Sequence, residues 1–127
     1  VPPPPAVAAL PDKVILDGMV LKGLDGSWKL EPEGLKAIQD AVAKARAAVP
    51  GFTVVVSGHT SSTGTRAYNL AVSKRRAAFV AKALAKAGVP AGRITVRGLG
   101  PDHPLADNGT REGRLKNQRV EVEFLHP

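Results

Sequence analysis

Two breaks constrain this chain more than anything else in it. Pro50-Gly51 ends one stretch of helical periodicity, and Gly88-Val89-Pro90 ends another. Each is followed by a short β-branched run, Phe52-Thr-Val-Val-Val56 and Ile94-Thr-Val96. A proline cannot continue a helix, and in the second break Gly88 supplies a natural left-handed stop. Runs this short and this rich in Val and Ile are buried strands, not helices. The chain must therefore alternate helix and strand.

The flanking segments fill in the order. Pro32 suits a first helical position, and Leu35, Ile38, Val42, Ala45 and Val49 fall at helical spacing, so 32–48 reads as the first helix. Residues 66–87 read as the longest helix, with Leu70, Ala77, Val80, Leu84 and Ala87 on one stripe. Val14 to Leu21 reads as an opening strand broken by Gly18. Val120, Val122 and Phe124 alternate with Glu121 and Glu123, which predicts a last strand with one wet face. Residues 98–117 read as a long loop with one helical turn near 111–116. The expected fold is α+β, a β-α-β-α-β-β two-layer sandwich with two main helices on a mixed sheet of about four strands. Residues 1–12, with four consecutive prolines, read as an extended linker, so the folded domain is expected over 13–127. A start at Val1-Pro2-Pro3 reads as the inside of a longer protein.

Composition removes several functions. Cysteine is absent, so there is no disulfide scaffold, thiolate zinc site or cysteine nucleophile. His59, His103 and His126 are scattered, and no metal or other cofactor is expected. One Trp, one Tyr and three Phe are too few for a stacking platform along single-stranded nucleic acid. No apolar run approaches the roughly 20 residues of a membrane-spanning helix. The net charge of +7 falls entirely in residues 51–127 and favours an anionic partner.

The loop Gly58-His59-Thr60-Ser61-Ser62-Thr63-Gly64 joins a strand to the longest helix, where open α/β arrangements present backbone N–H groups to ligands. It lacks the Gly-Lys-Ser/Thr ending of a phosphate loop. A hydrolase would recruit Ser61 or Ser62, His59 and Asp102 or Asp107, but the Gly-x-Ser-x-Gly elbow is missing. No enzymatic activity is expected. On the helix, Asn69 and Arg76 are seven apart and nearly aligned, with Arg76 flanking the packed stripe. A guanidinium there needs a carboxylate or phosphate. Its partner is either internal, Asp102 or Asp107, or a ligand carboxylate; spacing alone does not decide.

The stretches Val56-Ser57-Gly58-His59-Thr60, Thr63-Gly64, Tyr68-Asn69, Val72-Ser73-x-x-Arg76-Ala77-x-x-Val80, Gly98-x-Gly100, Ala106-Asp107-Asn108, Glu112-Gly113-Arg114, Asn117 and Arg119-Val120-Glu121 occur together, in order. In them residues 54–124 resemble the OmpA-like domain of OmpA, Pal lipoproteins and MotB-type stators. The resemblance implies the same β-α-β-α-β-β fold and a non-covalent grip on the peptide stem of peptidoglycan. In that family a helix arginine takes the carboxylate of diaminopimelate and a loop aspartate takes its ammonium. Carried over, the arginine is Arg76, the supporting asparagine Asn69 and the loop threonine Thr63. Two positions depart: the loop aspartate is Ser61, and Asn117-Gln118-Arg119-Val120 has Gln118 where the family has arginine. Ser61, Thr63, Asn69, Arg76, Asn117 and Gln118 are thus the expected peptidoglycan-binding residues. The resemblance also implies a periplasmic location, attachment to the outer membrane only through an upstream segment, and no nucleic-acid partner. With Ser61 and Gln118 weakening the site, the alternative is a degenerate domain serving contacts with other envelope proteins.

Overall fold

The computed structural model describes residues 10–23 and 27–127. Most of the 1–12 linker therefore lies outside the described residues, and Leu10 already rests against the core. The elements are β1 (Val14–Leu16), β2 (Leu21–Lys22), β3 (Lys29–Leu30), α1 (Pro32–Ala48), β4 (Thr53–His59), α2 (Arg66–Lys86), β5 (Ile94–Gly100), α3 (Arg111–Asn117) and β6 (Val120–Leu125).

The main sheet has the order β1-β6-β4-β5. β4 runs parallel to β5 and antiparallel to β6, and β1 is antiparallel to β6. The three helices pack on this mixed sheet, giving the expected α+β architecture. A parallel neighbour cannot be reached by a hairpin, so α2 serves as the crossover between β4 and β5. Val54 and Val56 of β4 and Val120, Val122 and Phe124 of β6 enter the core. They meet Ile38, Val42 and Ala45 of α1 and Ala77, Val80 and Leu84 of α2.

Helix α2 lies unusually close to the sheet. A methyl at Gly58 would overlap the Ser73 carbonyl, and one at Gly98 would stand 2.7 Å from the Lys74 Cβ. The Ser73 hydroxyl ties the contact by donating to the Leu70 carbonyl (2.8 Å) and accepting from the Gly100 N–H (2.9 Å).

Four details differ from the sequence reading. The opening strand is β1 alone; the chain turns at Gly18–Val20 and then forms a small β2–β3 hairpin. Strand β5 continues to Gly100, because its glycines admit α2 and do not end the strand. The turn near 111–116 is a full helix, α3, capped by Thr110, whose hydroxyl accepts from the Gly113 N–H at 2.9 Å. Leu35 is 40% exposed, while Gly34 is buried against Leu30, Val20 and Leu16, where an added methyl would press on the Leu30 side chain at 2.8 Å.

Candidate functional site

The C-terminal end of β4 delivers the chain into the loop before α2. The His59 N–H donates to the Arg119 carbonyl (2.8 Å) and the Thr60 N–H to the Gly100 carbonyl (2.9 Å), so both flanking strands hold the exit of β4. Thr65 caps α2 by accepting from the Tyr68 N–H at 3.2 Å. Between these anchors the Asn69 side chain donates to the Thr63 carbonyl at 2.8 Å and folds the loop back over the helix.

The result is a cleft of about 290 Å³ lined by Gly23, Thr60, Ser61, Thr63, Tyr68, Asn69, Val72, Arg76 and Gln118. Five of the six sequence-derived residues, Ser61, Thr63, Asn69, Arg76 and Gln118, converge here. Two grooves of about 340 Å³ beside Trp28 and Phe79 are larger, but alkyl, aromatic and basic side chains dominate their walls. They lack the polar convergence that fixes a ligand's orientation.

Arg76 is 8% exposed. Its Nη1 donates to the His59 carbonyl at 3.2 Å, and its guanidinium carbon stands 5.8 Å from the centre of the Trp28 ring. An aromatic face at that distance favours a cation. Of the two internal partners the sequence offered, Asp102 bonds Arg66 (2.7 and 3.2 Å), which holds its carboxyl below the usual range. Asp107 accepts from the Gly109 N–H at 2.8 Å. Ser61, which lines the same cleft, is also buried. Its hydroxyl takes part in three long contacts, 3.3 Å to the Thr63 hydroxyl, 3.4 Å to the Gln118 amide and 3.5 Å to the Thr63 N–H.

Asn117 is placed differently. It is fully buried and does not line the cleft. Its Oδ1 accepts from the Leu105 and Ala106 N–H groups (2.7 and 2.9 Å), and its Nδ2 donates to the Ala106 carbonyl and the Asn108 side chain (2.9 and 2.8 Å). It shapes the loop before α3 while its neighbour Gln118 turns toward Ser61. Sequence reasoning assigned no role to Tyr68 or Val72. Their positions one before Asn69 and three after it, within the first two turns of α2, were the available signal.

The other face of the sheet carries a polar cluster around His59, whose imidazole is 4% exposed. It meets the His103 ring edge-on at 6.1 Å and lies 3.7 Å from the Glu121 carboxylate. Glu121 in turn accepts from Arg119 (2.7 Å) and Lys13 (3.0 Å). Burial and then the nearby Arg119 charge lower the His59 pKa from 6.5 to about 4; Glu121 pulls the other way and is outweighed. For Glu121, burial raises the pKa but the bonds from Lys13 and Arg119 win, so it stays ionised. Between pH 6.5 and 4 the unfolded chain binds a proton at His59 that the folded chain refuses. Stability should therefore fall as pH drops through that window, by at most about 3 kcal/mol. Urea unfolding at pH 7 and pH 4.5 should show a smaller loss in His59→Gln; equal losses in both proteins would contradict this.

Among the described residues no group of side chains is arranged to hold a metal ion, and no helix is long and apolar enough to cross a membrane. Comparison with known proteins gives a consistent picture. Residues 24–118 match the model of the OmpA family. The chain is 39% identical over 118 residues to outer membrane protein A of Bordetella avium, covering 93% of this chain and 60% of that protein. It is 36% identical over 126 residues to the peptidoglycan-binding protein ArfA of Mycobacterium tuberculosis, covering 95% and 38%. The chain thus spans less than two-thirds of the length of the first and less than half of the second. The solved structure of the cell wall anchor of the T6SS from Pseudomonas aeruginosa superposes with a TM-score of 0.69 at 30% identity, covering 90% of this chain and 80% of that one.

Proposed function

Because the chain belongs to the OmpA family, we propose that it is a periplasmic wall-anchoring domain that grips the peptide stem of peptidoglycan without covalent chemistry. The observation that carries this reading is the convergence of Arg76, Asn69, Thr63, Ser61 and Gln118 on one cleft. A buried guanidinium beside an aromatic face is suited to a carboxylate, because a charge-assisted bond strengthens where water is thinned. Diaminopimelate in the stem supplies that carboxylate. Asn69 and Thr63 hold the loop so that its polar atoms stand ready before the ligand arrives, which reduces the ordering cost of binding.

A second reading keeps the fold but not the ligand. It is favoured by the absence of a carboxylate among the described residues lining the cleft. Such a domain would contact other envelope proteins instead. Sedimentation with insoluble peptidoglycan separates the two. The wild-type domain should co-sediment, and Arg76→Ala should lose at least about tenfold in retention while still unfolding cooperatively in urea. Equal retention of a folded Arg76→Ala and the wild type, or no retention of either, would sink the wall-binding reading.

A further inference from the structure

The chemistry around Ser61 differs from the chemistry around Arg76 in a way that selects among stems. Arg76 is the one charged side chain among the described residues lining the cleft. Two further described lining residues are neutral: Ser61, 3% exposed, and Gln118, whose carboxamide stands 3.4 Å from the Ser61 hydroxyl. Resting on the wall-binding reading, we infer that this cleft prefers a diaminopimelate whose side-chain amine is acylated, as it is where two stems are cross-linked, over one whose amine is free.

A free amine is an ammonium near neutral pH. It brings three donors, no acceptor and a positive charge. In this cleft it would surrender water next to an existing cation and find no carboxylate among the described lining residues. That is an unfavourable exchange, since a buried charge needs a charged or fully bonded partner. Acylation changes three things together. It removes the charge. It replaces three donors with one N–H and adds a carbonyl acceptor. It leaves untouched the carboxylate on the same carbon, so the partner of Arg76 survives.

The resulting amide matches what stands there. The Ser61 hydroxyl can accept the amide N–H, and the carboxamide of Gln118 can bond either end of an amide. All three contacts now made by the Ser61 hydroxyl are 3.3 Å or longer. Bonds that long are weak and cost little to exchange for a ligand. The mouth of the cleft carries Tyr68, 56% exposed, against which the acyl extension can lie. An aspartate at position 61 would reverse the preference, because a carboxylate pairs with the ammonium and would repel the acyl carbonyl.

The test uses two soluble probes that differ in one group: a diaminopimelate-containing muropeptide with its side-chain amine free, and the same muropeptide acetylated there. Each is titrated into the domain by NMR. The acetylated probe should bind about five- to tenfold more tightly in the wild type, with shifts at Ser61, Arg76 and Gln118. Ser61→Asp should invert that order. Gln118→Glu serves as a second variant, at a half-buried site where a carboxylate is easily accommodated. Equal or tighter binding of the free-amine probe to the wild type overturns this inference while leaving the wall-binding reading in place. Failure of both probes at millimolar concentration also overturns it, and if insoluble peptidoglycan is not retained either, the wall-binding reading falls with it.

Discussion

Gly58→Ala should leave this domain largely unfolded, with a loss of about 4 kcal/mol or more. The position is mid-strand, and its backbone is not one that only glycine adopts. The cause is space alone: the added methyl would occupy the same volume as the Ser73 carbonyl of α2. Relief would require α2 to lift from the sheet. That would break the bond from Gly100 to the Ser73 hydroxyl and open the contacts of Ala77, Val80 and Leu84 beyond it. With a typical total stability of about 5–15 kcal/mol, few domains absorb such a loss. Gly92→Ala is the control. It is exposed, and nothing lies within 4 Å of the added carbon. Circular dichroism and urea titration of both proteins decide the matter. A Gly58→Ala variant within 1 kcal/mol of wild type would mean that α2 rides on the sheet less tightly than these positions require.

Asn117→Ala is the second large effect, expected at about 2–4 kcal/mol. The substitution removes an amide that bonds the Leu105 and Ala106 N–H groups, the Ala106 carbonyl and the Asn108 side chain at once. Those half-buried groups would lose four bonds together and would have to take water in place of the buried amide. Asn117→Asp is no rescue, because its second oxygen would face the Ala106 carbonyl and the Asn108 oxygen. Hydrogen exchange should accelerate at Leu105 and Ala106 before the rest of the domain, and the thermal midpoint should drop. Retained protection at those two amides would show that the loop holds itself without Asn117.

These residues also show what a sequence can and cannot disclose. Helix α1 is legible because Pro32 starts it and Pro50-Gly51 ends it, both local effects. Strand β6 is legible because Glu121 and Glu123 alternate with its core residues. The glycines of β5 mislead: Gly98 and Gly100 look like loop punctuation, and only the presence of α2 against them explains a continuous strand. Leu35 misleads for a related reason. Periodicity favours the larger side chain for the core, but the tight position against Leu30 and Val20 is taken by Gly34.

At the site, the neighbourhood of Arg76, Asn69 and Thr63 follows from helix geometry and one loop. The divergence of Asn117 and Gln118 does not, because adjacent side chains at a helix end point apart and the sequence does not say which one turns inward. Nor could spacing decide whether Arg76 pairs internally, with Asp102 or Asp107, or meets a ligand carboxylate. Asp102 is taken by Arg66, and that pairing depends on how the loop after β5 returns to the start of α2.

The strand directions have a mechanical consequence. Leu16 and Gly58 both stand level with Val120, and Val14 and Val56 both stand level with Val122. Strands β1 and β4 therefore point the same way, with β6 running against them between. The chain enters β1 at Val14, level with Val56 in the middle of β4, and both strands run from there toward the end of the sheet that bears the Arg76 cleft. A pull on the N-terminal stretch, with the cleft held fast, is directed along the strands. The β1–β6 and β6–β4 ladders are then loaded in shear, all rungs sharing the force, and are not peeled open one rung at a time.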